Sequence, residues 1–108
     1  MRILLTAALC LAAALPAHAQ KPSPAPVRPS RLGLCAACHG EAGHAGVPGA
    51  PNLAGQPLDY LRSALAQYRD GRRDVPLMRA AIGPVSATEL DALARWYSAQ
   101  SPQAQATP

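Results

Sequence analysis

Cys35 and Cys38 are the only cysteines outside the first ten residues, and they stand in the stretch Cys35-Ala36-Ala37-Cys38-His39. Two thiols three residues apart can form a disulfide, act as a redox dithiol, bind a metal or hold a cofactor covalently. A thioredoxin-like dithiol needs a βαβ setting, and no such pattern surrounds it. Zinc needs four ligands; Cys35, Cys38, His39 and His44 would suffice in number, but they crowd into ten residues and lack a second ligand pair further along.

The histidine directly after the second cysteine favours the covalent reading. C-x-x-C-H is the spacing of c-type haem attachment. On a helix, residues i and i+3 share a face, so each thiol can add to one of the two haem vinyl groups while the adjacent imidazole turns onto the iron. Cys35 and Cys38 are therefore read as thioether positions and His39 as an axial iron ligand, with a disulfide or a zinc knuckle as the alternatives.

A second axial ligand must come from elsewhere in the chain. Beyond the first nineteen residues there are two histidines, His39 and His44, and one methionine, Met78. A lone Met is ordinarily a flexible core filler. Met78 nevertheless lies far enough downstream to reach the other face of a porphyrin, whereas His44, five residues from His39, should stay on the near side or at the surface. Met78 is the preferred sixth ligand.

Cysteine chemistry depends on compartment. Met1-Arg2 is followed by an apolar run from Ile3 to Leu15 and then by Ala17-His18-Ala19, the small residues of a cleavage site. This reads as a secretory signal over 1–19, placing the product in the periplasm. Thirteen apolar residues, at about 1.5 Å each, fall short of a hydrocarbon core, so no stable membrane insertion is expected after cleavage. Cys10 follows the bulky Leu9 and is expected to leave with the leader.

The remaining residues, 20–108, carry nine Lys and Arg against six Asp and Glu. A net charge of +3 without charge blocks, and without aromatics interleaved among the basic residues, argues against single-strand nucleic-acid binding. It suits redox protein partners with an acidic docking surface. Phe is absent and aromatics make up 4% of the sequence, so a domain this small is short of large core side chains. A porphyrin buries as much apolar surface as two or three aromatic residues, which would fill that deficit.

The elements that must position these residues are helical. Prolines at nearly every other position make 20–30 an extended linker. Ser30 is a candidate cap for a helix over 31–39. The Gly-, Ala- and Pro-rich 40–56 is a loop long enough to be functional. A second helix starts at Pro57, with Leu58, Leu61, Leu65 and Tyr68 on one face, and stops at Gly71. The segment 72–85 reads as irregular. Ser86-Ala87-Thr88-Glu89 is a capping box opening a last helix, whose buried stripe is Leu90, Leu93, Ala94 and Tyr97 and whose end is near Gln100. The fold class is all-α, three to four helices joined by long haem-packing loops, in one domain over 31–100 with a flexible tail at 101–108.

Taken in order, "CAACHG", "PNLAGQ", the Tyr60 to Arg73 segment, Met78 and "TELDALARWYSAQ" resemble a class I c-type cytochrome of the short bacterial mono-haem kind that also forms each half of the diheme cytochromes. The resemblance implies one covalently attached haem c, thioethers at Cys35 and Cys38, axial ligation by His39 and Met78, and electron transfer with no catalysis by the chain. It also implies that Pro51 offers its backbone carbonyl to the proximal imidazole, a bond that fixes such a ring and raises its basicity.

The chain departs from the family pattern in two places. Pro29 cuts short the first helix, and Arg31 stands where an aromatic residue is common, so the contact of Gly33 with Trp96 and Tyr97 should be abbreviated. Ala64 replaces a common Gln.

Electrons would pass at the haem edge, near Ala36, Ala37 and 42–48. Arg72, Arg73 and Arg79 are candidates for propionate or partner contacts, set against the plainer reading of solvated surface arginines. The other functional readings are a haem-c subunit of a larger periplasmic oxidoreductase and an open-site haem sensor or enzyme.

Overall fold

The computed structural model describes residues 16–17, 19 and 21–103. Most of the expected leader, and the tail beyond 103, lie outside the described residues. Among those described, four helices and no strand form the fold: α1 Leu32–His39, α2 Leu58–Asp70, α3 Pro76–Ile82 and α4 Ala87–Ser98. The second helix lies against α4 and α3. Leu32, Leu61, Ile82, Val85, Leu93 and Tyr97 are among the residues of the core they share.

Two helix starts differ from the sequence reading. Ser30 does not cap α1; Arg31 takes the cap position without a side-chain hydrogen bond. The chain enters instead through a turn in which the Leu32 amide donates to the Pro29 carbonyl at 3.2 Å, with Pro29 buried. Pro57 precedes α2 as its cap, and the helix begins at Leu58.

A larger difference is α3. Seven residues make about two turns, too few to display a periodicity, and the segment was expected to be irregular. Pro76 explains its start, since proline's fixed φ suits a first turn whose amide has no intrahelical acceptor. Met78 therefore sits on a helix and not on a loop.

The signals for α4 were complete. The Glu89 amide donates to Ser86 Oγ at 3.2 Å, and Glu89 Oε2 accepts from the Ser86 amide at 2.9 Å. The Ser86 amide first, then the Ser86 hydroxyl and Arg31, hold the Glu89 carboxyl below its ordinary range, and Arg31 at the start of α1 pairs with it at 3.2 Å.

Leu32, with no exposed surface, is the residue that fastens α1 into the core. Gly33 is exposed, and a Cβ built there would meet nothing within 4 Å. The contact to α4 shifts past the helix end instead. Tyr97 donates through its hydroxyl to the Gly40 carbonyl at 2.9 Å, and Trp96 Nε1 donates to the Glu41 carbonyl at 2.7 Å.

The loop 40–56 carries its own hydrogen-bond frame. The Gly43 carbonyl accepts from the amides of Leu53 (2.8 Å) and Ala54 (3.1 Å), and Asn52 Oδ1 accepts from the Ala45 amide at 2.8 Å. At Gly40, φ is +76°, and a Cβ would lie 2.2 Å from the His44 carbonyl oxygen. Only glycine lets the chain turn there immediately after His39.

Candidate haem site

His39 ends α1 buried at 7% exposure, yet its ring is polar and needs a partner. Its Nδ1 lies 2.8 Å from the Pro51 carbonyl oxygen. A carbonyl can only accept, so Nδ1 carries the proton, and in the neutral ring Nε2 keeps its lone pair for a metal.

This imidazole lines a cleft of about 820 Å³, counting the space at its mouth. Cys35, Met78 and Pro51 line the same cleft. Its walls are largely apolar, from Leu53, Leu61, Leu65, Ile82, Leu93 and Ala94. Cys38 is half-buried on the same helix, one turn from Cys35. The cleft thus brings together most of the residues singled out in the sequence. His44 does not line it.

The other uses of the cysteines fare worse. Both are free thiols. Among the described residues, no three His, Cys, Asp or Glu side chains are grouped to share an ion, so the four-ligand zinc site does not assemble. Burial pushes the Cys35 thiol above its ordinary value, which disfavours the free thiolate that a redox dithiol would use.

Three cleft residues were missed in the sequence, Asn52, Gln56 and Tyr60, and of the three candidate arginines only Arg73 lines the cleft. Tyr60 lies in the first turn of α2 and Arg73 just past its end, and the placement of a helix's two ends over a cleft is not encoded by local periodicity. Ala64, the unexplained departure, is buried and faces the cleft. Conversely, two residues of the expected stripes lie elsewhere. Leu90 is buried but borders a second, shallower depression between α2 and α4, and Leu58 packs on the core without lining the cleft.

An apolar cleft with one lone-pair imidazole, one thioether and a thiol pair on the helix bearing that imidazole fits an iron porphyrin by the chemistry of its donors. Comparison with known proteins agrees. Residues 33–96 match the family model "Cytochrome c". Over 73 residues the chain is 38% identical to cytochrome c-554(548) of Halomonas halodenitrificans, an alignment covering 65% of this chain and 88% of that one. It is 40% identical over 82 residues to the thiosulfate dehydrogenase electron acceptor of Thiomonas intermedia, covering 74% of this chain and 37% of that protein. It is 32% identical over 71 residues to cytochrome c4 of Pseudomonas aeruginosa, covering 66% and 35%. The aligned part thus spans little more than a third of the latter two relatives.

The chain belongs to the cytochrome c family, whose members are electron-transfer proteins carrying covalently attached haem c.

Proposed function

We propose that the chain is an exported mono-haem electron carrier, with haem c bound through Cys35 and Cys38 and its iron held by His39 and Met78. When bound, the haem supplies one-electron Fe(III)/Fe(II) chemistry. The observation that carries the reading is the shared cleft: His39, oriented by Pro51, and Met78 come from different helices and line one apolar space.

Each protein group has a task in that reading. The Pro51 carbonyl fixes the His39 ring and raises its basicity. Met78, carried by α3, supplies a neutral thioether that favours the reduced state relative to a second imidazole. The leucines and Ile82 exclude water, so little solvent has to reorganise when charge changes. With both ligands on helices anchored in the core, the site needs little geometric change on electron transfer.

The haem-binding domain spans 31–100, and the leader 1–19 directs it to the periplasm. No helix of the described residues is long and apolar enough to cross a membrane. Exchange with partners takes place where the chain is small and exposed, around Ala37, Ala42 and Gly46 to Gly49. Arg72 and Arg79 contribute little free charge to docking, because each is paired with a neighbouring carboxylate, Asp70 at 2.7 Å and Asp74 at 3.4 Å.

The name of the Thiomonas relative supports a more specific role, as electron acceptor of a dehydrogenase acting on an inorganic sulfur compound. A visible spectrum of the purified reduced protein, with and without carbon monoxide, tests the carrier reading. The expected result is a low-spin c-type spectrum unaffected by the gas. Carbon monoxide binding to the unmodified protein would instead show an open iron site.

A further inference from the structure

Six of the described arginines lie within 3.4 Å of a carboxylate oxygen. Arg69, in the last turn of α2, is bonded differently. Its Nη2 donates to two main-chain carbonyls, that of Ile82 at 3.3 Å and that of Val85. Ile82 closes α3, and Val85 stands directly before the capping box of α4. One guanidinium nitrogen on α2 therefore holds the chain where α3 ends and α4 begins.

The segment between those points carries Met78. The chain leaves α2 at Gly71 and is drawn back to it at Ile82 and Val85, 13 and 16 residues beyond Arg69. In the middle lies α3, which has few means of holding its own place. Its seven residues are too few for a helix to persist by itself, Leu77 is exposed, and Ile82 is its buried residue. The Arg79–Asp74 pair joins two residues within the segment and adds no tie to α2. Met78 and Ile82 are four residues apart, so they share a face of α3, and both line the cleft. Fixing the backbone at Ile82 therefore fixes how Met78 enters the cleft.

The two carbonyls depend on Arg69 unequally. That of Ile82 also accepts from the Val85 amide at 3.0 Å, whereas among the described residues no backbone amide donates to that of Val85. A cation at the carbonyl end of a helix is favoured by the helix dipole as well. Removing Arg69 takes away these bonds and shifts the balance toward local opening of 71–85, a segment with little burial of its own to resist it. We propose that Arg69 is a positioning residue for Met78: it holds α3 against α2 so that the thioether stays in the cleft at the sixth position. The inference rests on the axial role given to Met78 above.

The test uses the holoprotein and its Arg69→Gln, Arg69→Lys and Arg62→Gln variants. Arg62 is also on α2 but is bonded to Asp91 of α4 at 2.6 Å, so its loss weakens packing without reaching α3. The long-wavelength band of thioether ligation and the far-UV helix signal are followed on heating, and the reduced proteins are exposed to carbon monoxide. In Arg69→Gln the fraction of molecules lacking the band should rise by about tenfold or more at a given temperature, the shift expected from losing a charge-assisted hydrogen bond. The band should vanish well below the temperature at which helix is lost, and the reduced protein should take up the gas. Arg69→Lys, with a charged nitrogen on a shorter arm, should fall between Arg69→Gln and wild type. Arg62→Gln should melt earlier and lose band and helix together. An Arg69→Gln protein whose band disappears only with its helix, and which ignores the gas, overturns the proposal whatever its melting temperature. So does an Arg62→Gln protein that loses the band early to the same extent. Should Arg69→Gln yield no folded haem protein, Arg69→Lys decides, and band loss coincident with helix loss overturns the proposal there too. Failure of the underlying reading looks different, since the wild type would then lack the band or bind the gas from the start.

Discussion

His39 at the end of α1 and Pro51 in the following loop are joined by a 2.8 Å hydrogen bond from the imidazole Nδ1 to a main-chain carbonyl. Because the acceptor is backbone, the side chain of residue 51 can be changed without removing it. Pro51→Ala should therefore keep the visible spectrum and lower stability by about 0.4–1 kcal/mol, through greater freedom of the unfolded loop. Thermal melts and spectra of the oxidised protein check this. A lost long-wavelength band would mean that the proline ring itself holds the ligand geometry.

Met78 and Leu77 are neighbours on α3 with opposite surroundings: Met78 lines the cleft, while Leu77 is 73% exposed. Met78→Ala should abolish the weak long-wavelength band of thioether ligation, lower the potential and open the reduced iron to carbon monoxide. Leu77→Ala should change none of these. A Met78→Ala protein with an unaltered spectrum would transfer the sixth position to another ligand.

The sequence made these residues legible where chemistry is local. The spacing of Cys35, Cys38 and His39, and the Ser86–Glu89 capping box, are written in a few adjacent positions. α3 was illegible because its seven residues span about two turns and its helical start rests on Pro76 alone. Arg73 was only one of three candidate arginines until the fold paired Arg72 and Arg79 with aspartates. That distinction depends on which side of the α2 to α3 connection faces the cleft, which no local pattern encodes. Leu90 shows the limit of a stripe, since burial on α4 places it in the core but not on the cleft.

Tyr97 is 3% exposed, and its hydroxyl holds the Gly40 carbonyl next to His39. Tyr97→Phe removes the donor and should cost about 1 kcal/mol, or roughly 4–8 °C in melting temperature for a domain of this size. Burial, with smaller contributions from Cys35 and Glu41, raises the phenol pKa above its ordinary value of 10.0. The unfolded phenol therefore ionises first, so the stabilisation from burying it neutral is present below pH 10 and is lost as pH rises further. Wild type should thus lose stability more steeply than Tyr97→Phe above about pH 10, as read by denaturant melts. Parallel slopes would place the alkaline loss elsewhere.

Gly33 lies within α1 with nothing near its missing Cβ. Gly33→Ala should stabilise the holoprotein by up to about 1 kcal/mol, by reducing backbone freedom in the unfolded chain and raising helix propensity. A lower melting temperature would show that α1 and α4 approach more closely than Leu32 and Tyr97 indicate.

Cofactor binding and folding should be a single event. Leu61, Leu65, Ile82, Leu93 and Ala94 face the cleft of about 820 Å³. Without an occupant this open cleft is wetted, which forfeits the burial that stabilises the core at roughly 25 cal/mol per Å² of apolar surface. Small domains have only about 5–15 kcal/mol of net stability, so a loss of this kind takes a large share of it. The loop 40–56 has hydrogen bonds of its own and is tied to α4 through Gly40, Glu41 and Gly55, but it closes over the same cleft through Pro51 and Leu53. The Cys35→Ala, Cys38→Ala, His39→Ala apoprotein should show little helix in far-UV circular dichroism and no cooperative melt. A helical apoprotein with a sharp transition would mean that Leu32, Val85, Leu90 and Tyr97 close a sufficient core by themselves, and that the cleft is a preformed receptor for the haem.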